Sequence, residues 1–261
     1  MSNVNVYGEE PFNVVVIHGG PGAAGEVAPV AIKLSKKFGV IEPYQTSFSF
    51  QGQVVELFEQ IKKYCTPPVK LVGYSYGAWL AYIFAAKYQE TVQKIILVCS
   101  GSFDEKHNIN ILYERLSRLT HNEAEEVRKL LEIISDISNK NIDEGFKRFG
   151  ELISLADTHE EITGLEKTEI IFRPDIHHSV WNDAKEMRRT GALLNFAYDI
   201  KCPVTAIHGD YDPHPVNGVK EPLKEIIKNF KMIVLKKCGH TPWREKHARE
   251  KFFEVLEKEL L

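Results

Sequence analysis

A serine becomes a nucleophile when a histidine can take its proton and a carboxylate can hold that histidine in place. This chain carries all three residue types in turn-rich settings. Ser75 lies in Gly73-Tyr74-Ser75-Tyr76-Gly77, between an apolar run at 69–72 and an alanine-rich helical segment. A strand turning this sharply into a helix holds its serine in strained backbone with the hydroxyl exposed, and flanking glycines let strand and helix pass closely. The pentapeptide alone also arises in loops by chance, so its weight depends on the other segments. His240 lies in Cys238-Gly239-His240-Thr241-Pro242-Trp243, and an acid, Asp210 or Asp212, in His208-Gly209-Asp210-Tyr211-Asp212-Pro213; each follows a short apolar run. Ligands bind at the carboxyl edge of an open parallel sheet, so residues far apart in the chain can converge there.

Attack on a carbonyl also needs fixed donors for the oxyanion. The run at 14–17 ends in His18-Gly19-Gly20-Pro21-Gly22, which cannot be helical and leaves amides free to point at a ligand. The candidate oxyanion donors are the amides of Gly20 and Tyr76, the latter at a helix start. A glycine-rich loop could hold a phosphate instead, but the spacing fits neither the dinucleotide fingerprint nor the P-loop with its lysine. His18 reads as a residue that braces the loop.

Positioning these groups falls to strands and crossover helices. Val- and Ile-rich runs bounded by turn residues predict strands at 14–17, 38–41, 69–72, 95–98, 204–207 and 232–235. Helices are expected through Val30 and Leu34 and at 54–64, 78–88, 219–230 and 245–260. The stretch 102–199 is strand-poor and charged, with helical spacing in Ala124, Val127, Leu130, Leu131, Ile134 and Ile137, behind a capping-box pair Thr120/Glu123. Further helices are expected through Ile142, Phe146, Phe149 and Ile153, and through Trp181, Ala184 and Met187. The expected organisation is an α/β core of mostly parallel, doubly wound sheet, residues 1–101 and 200–261, with a helical insertion at 102–199.

Composition narrows the function classes. The 261 residues suit one main core, and 43% hydrophobic with 26% charged residues is ordinary globular composition. A net charge of -3 gives no reason to expect a nucleic acid partner. No run approaches the ~20 apolar residues of a membrane helix. No signal peptide is visible, and a cytoplasmic protein is expected. Cys65, Cys99, Cys202 and Cys238 form no Cys-x-x-Cys pair and read as buried thiols.

These segments together resemble the α/β-hydrolase family over nearly all of the chain outside the insertion. The chain order Ser, Asp, His agrees with that fold. The HGGPG loop resembles that of proline iminopeptidase-type members. The family pattern Gly-x-x-Asp maps onto Gly209 and Asp212, so the resemblance implies Asp212 as the acid. The insertion corresponds by position to the family's cap, which selects substrate. Two departures stand out: 43–49 lacks the Asp- and Gly-rich run of many relatives, and the elbow is GYSYG where iminopeptidases usually have tryptophan after the serine. The amino terminus is also short for the full leading hairpin.

The expected activity is hydrolysis of a small ester or amide, or of a short peptide with a free amino end, without metal or organic cofactor. A lyase or transferase using the same triad, and a slow-turnover ligand receptor, are the alternatives. Trp181, Trp243 and Phe48, with Tyr76, are the expected pocket residues. Glu160, Glu161, Glu166 and Glu169 are candidates to meet a substrate amine, although a solvated helix face is the simpler reading. His177, His178 and Asp175 lack the spacing for a metal site. Oligomeric state has no signature in the sequence.

Overall fold

The structure, a computed structural model, describes residues 3–108, 110–136, 138–166 and 168–261. Nine strands form within them: β1 (Val4–Tyr7), β2 (Phe12–Ile17), β3 (Ala23–Ala24), β4 (Gly39–Pro43), β5 (Val69–Tyr74), β6 (Val92–Val98), β7 (Ile171–Phe172), β8 (Val204–Gly209) and β9 (Phe230–Leu235). Seven make one sheet in the order β1-β4-β2-β5-β6-β8-β9, and β3 pairs with β7 in a separate ribbon. In that sheet only β1 is antiparallel to its neighbour. The core is therefore an α/β sheet of mostly parallel strands, as expected. β1 went unforeseen because VNVY is short, and two of its four residues are exposed.

Alternation along each strand divides the core in two. Val15, Ile17, Leu71, Ile95 and Leu97 point to one face, under α2 (Phe50–Tyr64) and α3 (Tyr76–Lys87). Val14, Val16, Val72, Ile96 and Val98 point to the other, where α1 (Ala28–Leu34) packs through Val30, Ala31 and Leu34. Helix α3 is apolar all round and buried along Tyr76–Ala86, as a helix covered on every side must be.

Between β6 and β8 lie α4 (Ile111–Ser117), α5 (His121–Ser135), α6 (Ile142–Asp157), α7 (Pro174–Arg189) and α8 (Ala192–Asn195). Helix α5 starts with the capping box: Glu123 N–H donates to Thr120 Oγ1 at 3.4 Å, and Thr120 N–H to the Glu123 carboxylate at 2.9 Å. Val127, Leu130 and Leu152 pack with Leu116, Phe149 and Ile153 in a small core of their own. Ile137 lies outside the described residues. Helices α7 and α8 belong to the main core instead, through Ile176, Val180, Ala184 and Leu193.

Helix α9 (Asn217–Lys224) and α10 (Arg249–Leu260) complete the two layers. Both are shorter than their sequences suggest. α9 ends at Lys224 because the chain must turn before Phe230 opens β9. α10 begins only at Arg249, because Pro242–Arg244 form a 3₁₀ turn and the Glu245 side chain is bound to three backbone N–H groups. Cys99 and Cys238 are buried as expected, whereas Cys65 and Cys202 are only partly so; all four are free thiols.

Candidate active site

Strand β5 delivers Ser75 at its carboxyl end, where the backbone takes φ 51° and ψ -115° before α3 begins. That conformation is strained for a residue with a side chain. Its neighbours explain why the turn holds. A methyl group on Gly73 would stand 2.2 Å from the Gly77 carbonyl, and one on Gly77 would stand 2.3 Å from the His18 carbonyl. Strand, elbow and the end of β2 are thus in backbone contact that only glycine permits.

Strands β8 and β9 bring in the other two groups by a similar device. Asp210 N–H donates to the Leu235 carbonyl at 2.9 Å and Tyr211 N–H to the Cys238 carbonyl at 2.8 Å, so the two loops are laced together. His240 Nε2 lies 3.0 Å from Ser75 Oγ, and His240 Nδ1 lies 2.8 Å from Asp212 Oδ2. With Nδ1–H donated to the carboxylate, Nε2 carries a lone pair for the serine hydroxyl. Asp210 lies apart from this line: it accepts Cys238 N–H at 3.3 Å and faces Lys236 at 3.5 Å.

Asp212 is buried, and its other oxygen accepts the backbone N–H and Nδ1–H of His214, each at 2.9 Å. Burial opposes its ionisation, but His240, His214 and His208 together hold the carboxyl well below its usual range. Burial, outweighing the pull of Asp212 and joined by repulsion from His240 and Arg115, pushes His214 down to about 4. For His240, burial works against the charged form and Asp212 more than reverses it, so its pKa lies above the ordinary value. Cys99 Sγ lies within 4.8 Å of ligand atoms of both Asp212 and His240. Both carboxylate oxygens are already engaged, so a cation there would have to break the Asp212 hydrogen bonds.

The candidate oxyanion amides belong to Gly20 and Tyr76. Gly20 lines the same cavity as Ser75, and Tyr76 is the first residue of α3. Neither amide has a backbone partner among the described residues. The Tyr76 side chain is core, its hydroxyl 2.9 Å from Gln53 Oε1. His18 lies buried in the loop with Nδ1 donating to the Gly19 carbonyl at 2.7 Å.

Above Ser75 lies a cavity of about 270 Å³. Its walls combine Phe146, Phe149 and Ile153 of α6, Phe172, Pro174 and His177 with the loop residues 20–23 and Glu26. The expected pocket aromatics Trp181, Trp243, Phe48 and Tyr76 are corrected here, for none lines this space. Trp243 is buried behind Tyr74, which it meets edge-on at 4.7 Å, and Tyr74 takes the wall position. Trp181 stacks between Trp79 and His177, each at 5.9 Å, and His177 occupies the cavity side. Phe48 is 52% exposed at the surface, beside the Arg173 guanidinium.

The glutamates considered for a substrate amine also lie elsewhere. Glu160 pairs with His247 at 2.8 Å and with Lys246, Glu161 pairs with Arg244, and Glu166 and Glu169 are exposed. Of the two carboxyls that line the cavity, one is Glu26, whose Oε2 accepts Gly19 N–H at 3.1 Å and whose pKa burial pushes up to about 7. Its only sequence signal was its position four residues past the HGGPG loop. Arg115 and Asp157 likewise carry no sequence motif. They form a bidentate pair, 2.7 Å at both contacts, that also lines the cavity. Asp175 is paired with Arg173 at 2.7 Å.

No helix among the described residues is long and apolar enough to cross a membrane. Residues 46–243 match the family described as alpha/beta hydrolase fold. Among curated proteins, a proline iminopeptidase of Saccharolobus solfataricus is 24% identical over 94% of this chain and 84% of its own. Another, of Thermoplasma volcanium, is 25% identical over 91% and 85%. Among solved structures, VinJ superposes with a TM-score of 0.71 at 16% identity, covering 98% of this chain and 93% of that one. Sheet order, the strand–elbow–helix geometry and the matched span agree, and the chain belongs to the α/β hydrolase fold family and is a hydrolase.

Proposed function

We propose that the protein is a serine hydrolase that cleaves a small ester or amide through an acyl-enzyme on Ser75. The observation that carries this reading is the unbroken line from Ser75 Oγ to His240 Nε2, 3.0 Å, and from His240 Nδ1 to Asp212 Oδ2, 2.8 Å. As Ser75 Oγ bonds to the carbonyl carbon, its proton passes to His240 Nε2 and the carbonyl π pair moves onto oxygen, against the amides of Gly20 and Tyr76. Collapse of that intermediate expels the alcohol or amine, which takes the proton from Nε2. A water, deprotonated by the same nitrogen, then releases the acid and restores the Ser75 hydroxyl. Asp212 stays ionised throughout and stabilises the transient imidazolium.

The narrower version is an aminopeptidase of proline iminopeptidase type acting on short peptides. Its support is the similarity to two such enzymes and the Glu26 carboxyl, which lines the same cavity as Ser75 and offers a partner for a substrate amine. A cavity of about 270 Å³ suits one small apolar acyl or aminoacyl group. The test is a panel of p-nitrophenyl esters beside prolyl- and alanyl-naphthylamides, run on wild type and Ser75→Ala. The proposal expects turnover in wild type alone. Ester turnover without aminoacyl-amide turnover would remove the iminopeptidase version, and equal rates in both proteins would refute the serine mechanism.

A further inference from the structure

The Glu245 carboxylate is buried, and no cation is needed to explain it, because backbone N–H groups surround it. Oε1 accepts Gly239 N–H at 2.7 Å and His159 N–H at 2.9 Å, and Oε2 accepts Glu160 N–H at 2.9 Å. Gly239 immediately precedes His240. His159 and Glu160 belong to the insertion, just past the end of α6. One side chain therefore ties the histidine loop to the segment that leaves a wall of the cavity. The junction is reinforced on both sides: His240 N–H donates to the Asp157 carbonyl at 2.8 Å, Ile162 N–H to Arg244 at 3.0 Å, and Lys246 N–H to Glu160 at 2.8 Å. Space there is also closed, since a methyl group on Gly239 would meet the Asp157 carbonyl at 2.0 Å and Glu245 Oε1 at 2.5 Å.

From this convergence we propose that Glu245 is a positioning residue: it fixes the backbone of Gly239-His240 against the insertion and so sets the reach of the imidazole toward both Ser75 and Asp212. The proposal rests on the hydrolase reading of Ser75 and His240. A carboxylate holding three amides is a stronger acceptor than neutral contacts, and removing it leaves those donors unsatisfied. Displacing a reacting group by about 1 Å can cost on the order of 100-fold in rate. Loss of Glu245 should therefore lower kcat and leave KM nearly unchanged, because the acyl pocket itself is intact.

The experiment compares Glu245→Ala and Glu245→Gln with wild type on p-nitrophenyl acetate and p-nitrophenyl butyrate, with His240 titrated in parallel by NMR. Gln keeps one acceptor oxygen and loses the other, so it tests the idea even where Ala folds poorly. The expected result is a kcat lowered about 10- to 100-fold in Ala and several-fold in Gln, with KM within about twofold. Both esters should lose the same proportion, and the His240 titration should move to lower pH as Asp212 loses its grip. The groups facing His240, namely Asp212, His214, Tyr74, Glu26, Cys99 and the Arg115–Asp157 pair, are not themselves changed in these variants. Folded variants with wild-type kcat and wild-type His240 titration would overturn the proposal, as would a rise in KM alone that grows with acyl length. An inactive wild type would instead sink the hydrolase reading, and the NMR titration would then decide on Glu245 by itself.

Discussion

His240 Nδ1 donates to Asp212 across 2.8 Å, and that carboxylate is held from its far side by two hydrogen bonds from His214. The acid is therefore fixed in place before any substrate arrives. Its effect on the histidine is directional, lifting an imidazole that burial alone would depress. As general base His240 must be neutral, so kcat/KM should rise with pH along a limb above the ordinary histidine value of about 6.5. In Asp212→Asn the lift is gone and burial remains. The limb should move to lower pH, and kcat should fall on the order of 1,000- to 10,000-fold. A pH–rate series on both proteins measures this, and a limb that stays put in the variant would contradict it.

Ser75 carries strained backbone at φ 51°, a conformation glycine adopts freely. Ser75→Gly should abolish turnover and yet stabilise the fold by about 1 kcal/mol, raising Tm by about 2–4 °C. Thermal melts beside an activity assay separate the two effects.

Glu26 offers a test of a different kind. Burial raises its carboxyl to about 7 in the folded protein, against an ordinary value near 4.5 in the unfolded chain. The folded state then binds the extra proton between those values, and stability is lost as pH rises through that window. Glu26→Gln removes the loss. Discounted for the solvent on its cavity side, the variant should be more stable than wild type by about 1–2 kcal/mol at pH 8.5 and no different at pH 4. Denaturant melts at the two pH values check the sign.

The pocket walls predict a selective effect on substrate. Phe149 faces the cavity, whereas Trp181 stands behind His177. Phe149→Ala should raise KM for apolar acyl groups by about 10-fold, corresponding to roughly 1–2 kcal/mol of lost apolar contact. Trp181→Ala should act mainly on stability. Steady-state kinetics with p-nitrophenyl butyrate on both variants distinguishes wall from support.

Legibility followed the range of the signals. The parallel strands could be read because Val and Ile runs and their bounding turns are local, and the elbow because Gly73 and Gly77 flank a serine at a strand-to-helix junction. The choice between Asp210 and Asp212 was not local. Spacing left both open, and it is the lacing of β8 and β9 loops that turns Asp210 toward Lys236. The pocket was harder still. Which aromatics face the cavity depends on how α6 and α7 pack over the sheet, and large rings such as Trp243 are as well suited to a core as to a wall. Glu26, Arg115 and Glu245 carry no motif, since their roles come from partners 7, 42 and 85 or 86 residues away.

The central claim is that Ser75 is the nucleophile activated by His240. Its most direct measurement is treatment with a fluorophosphonate, followed by intact-mass analysis and peptide mapping of wild type, Ser75→Ala and His240→Ala. The account predicts one adduct per wild-type chain, mapped to Ser75, none in Ser75→Ala, and labelling slowed by orders of magnitude in His240→Ala. An adduct that persists in Ser75→Ala, or maps to another residue in wild type, would contradict it.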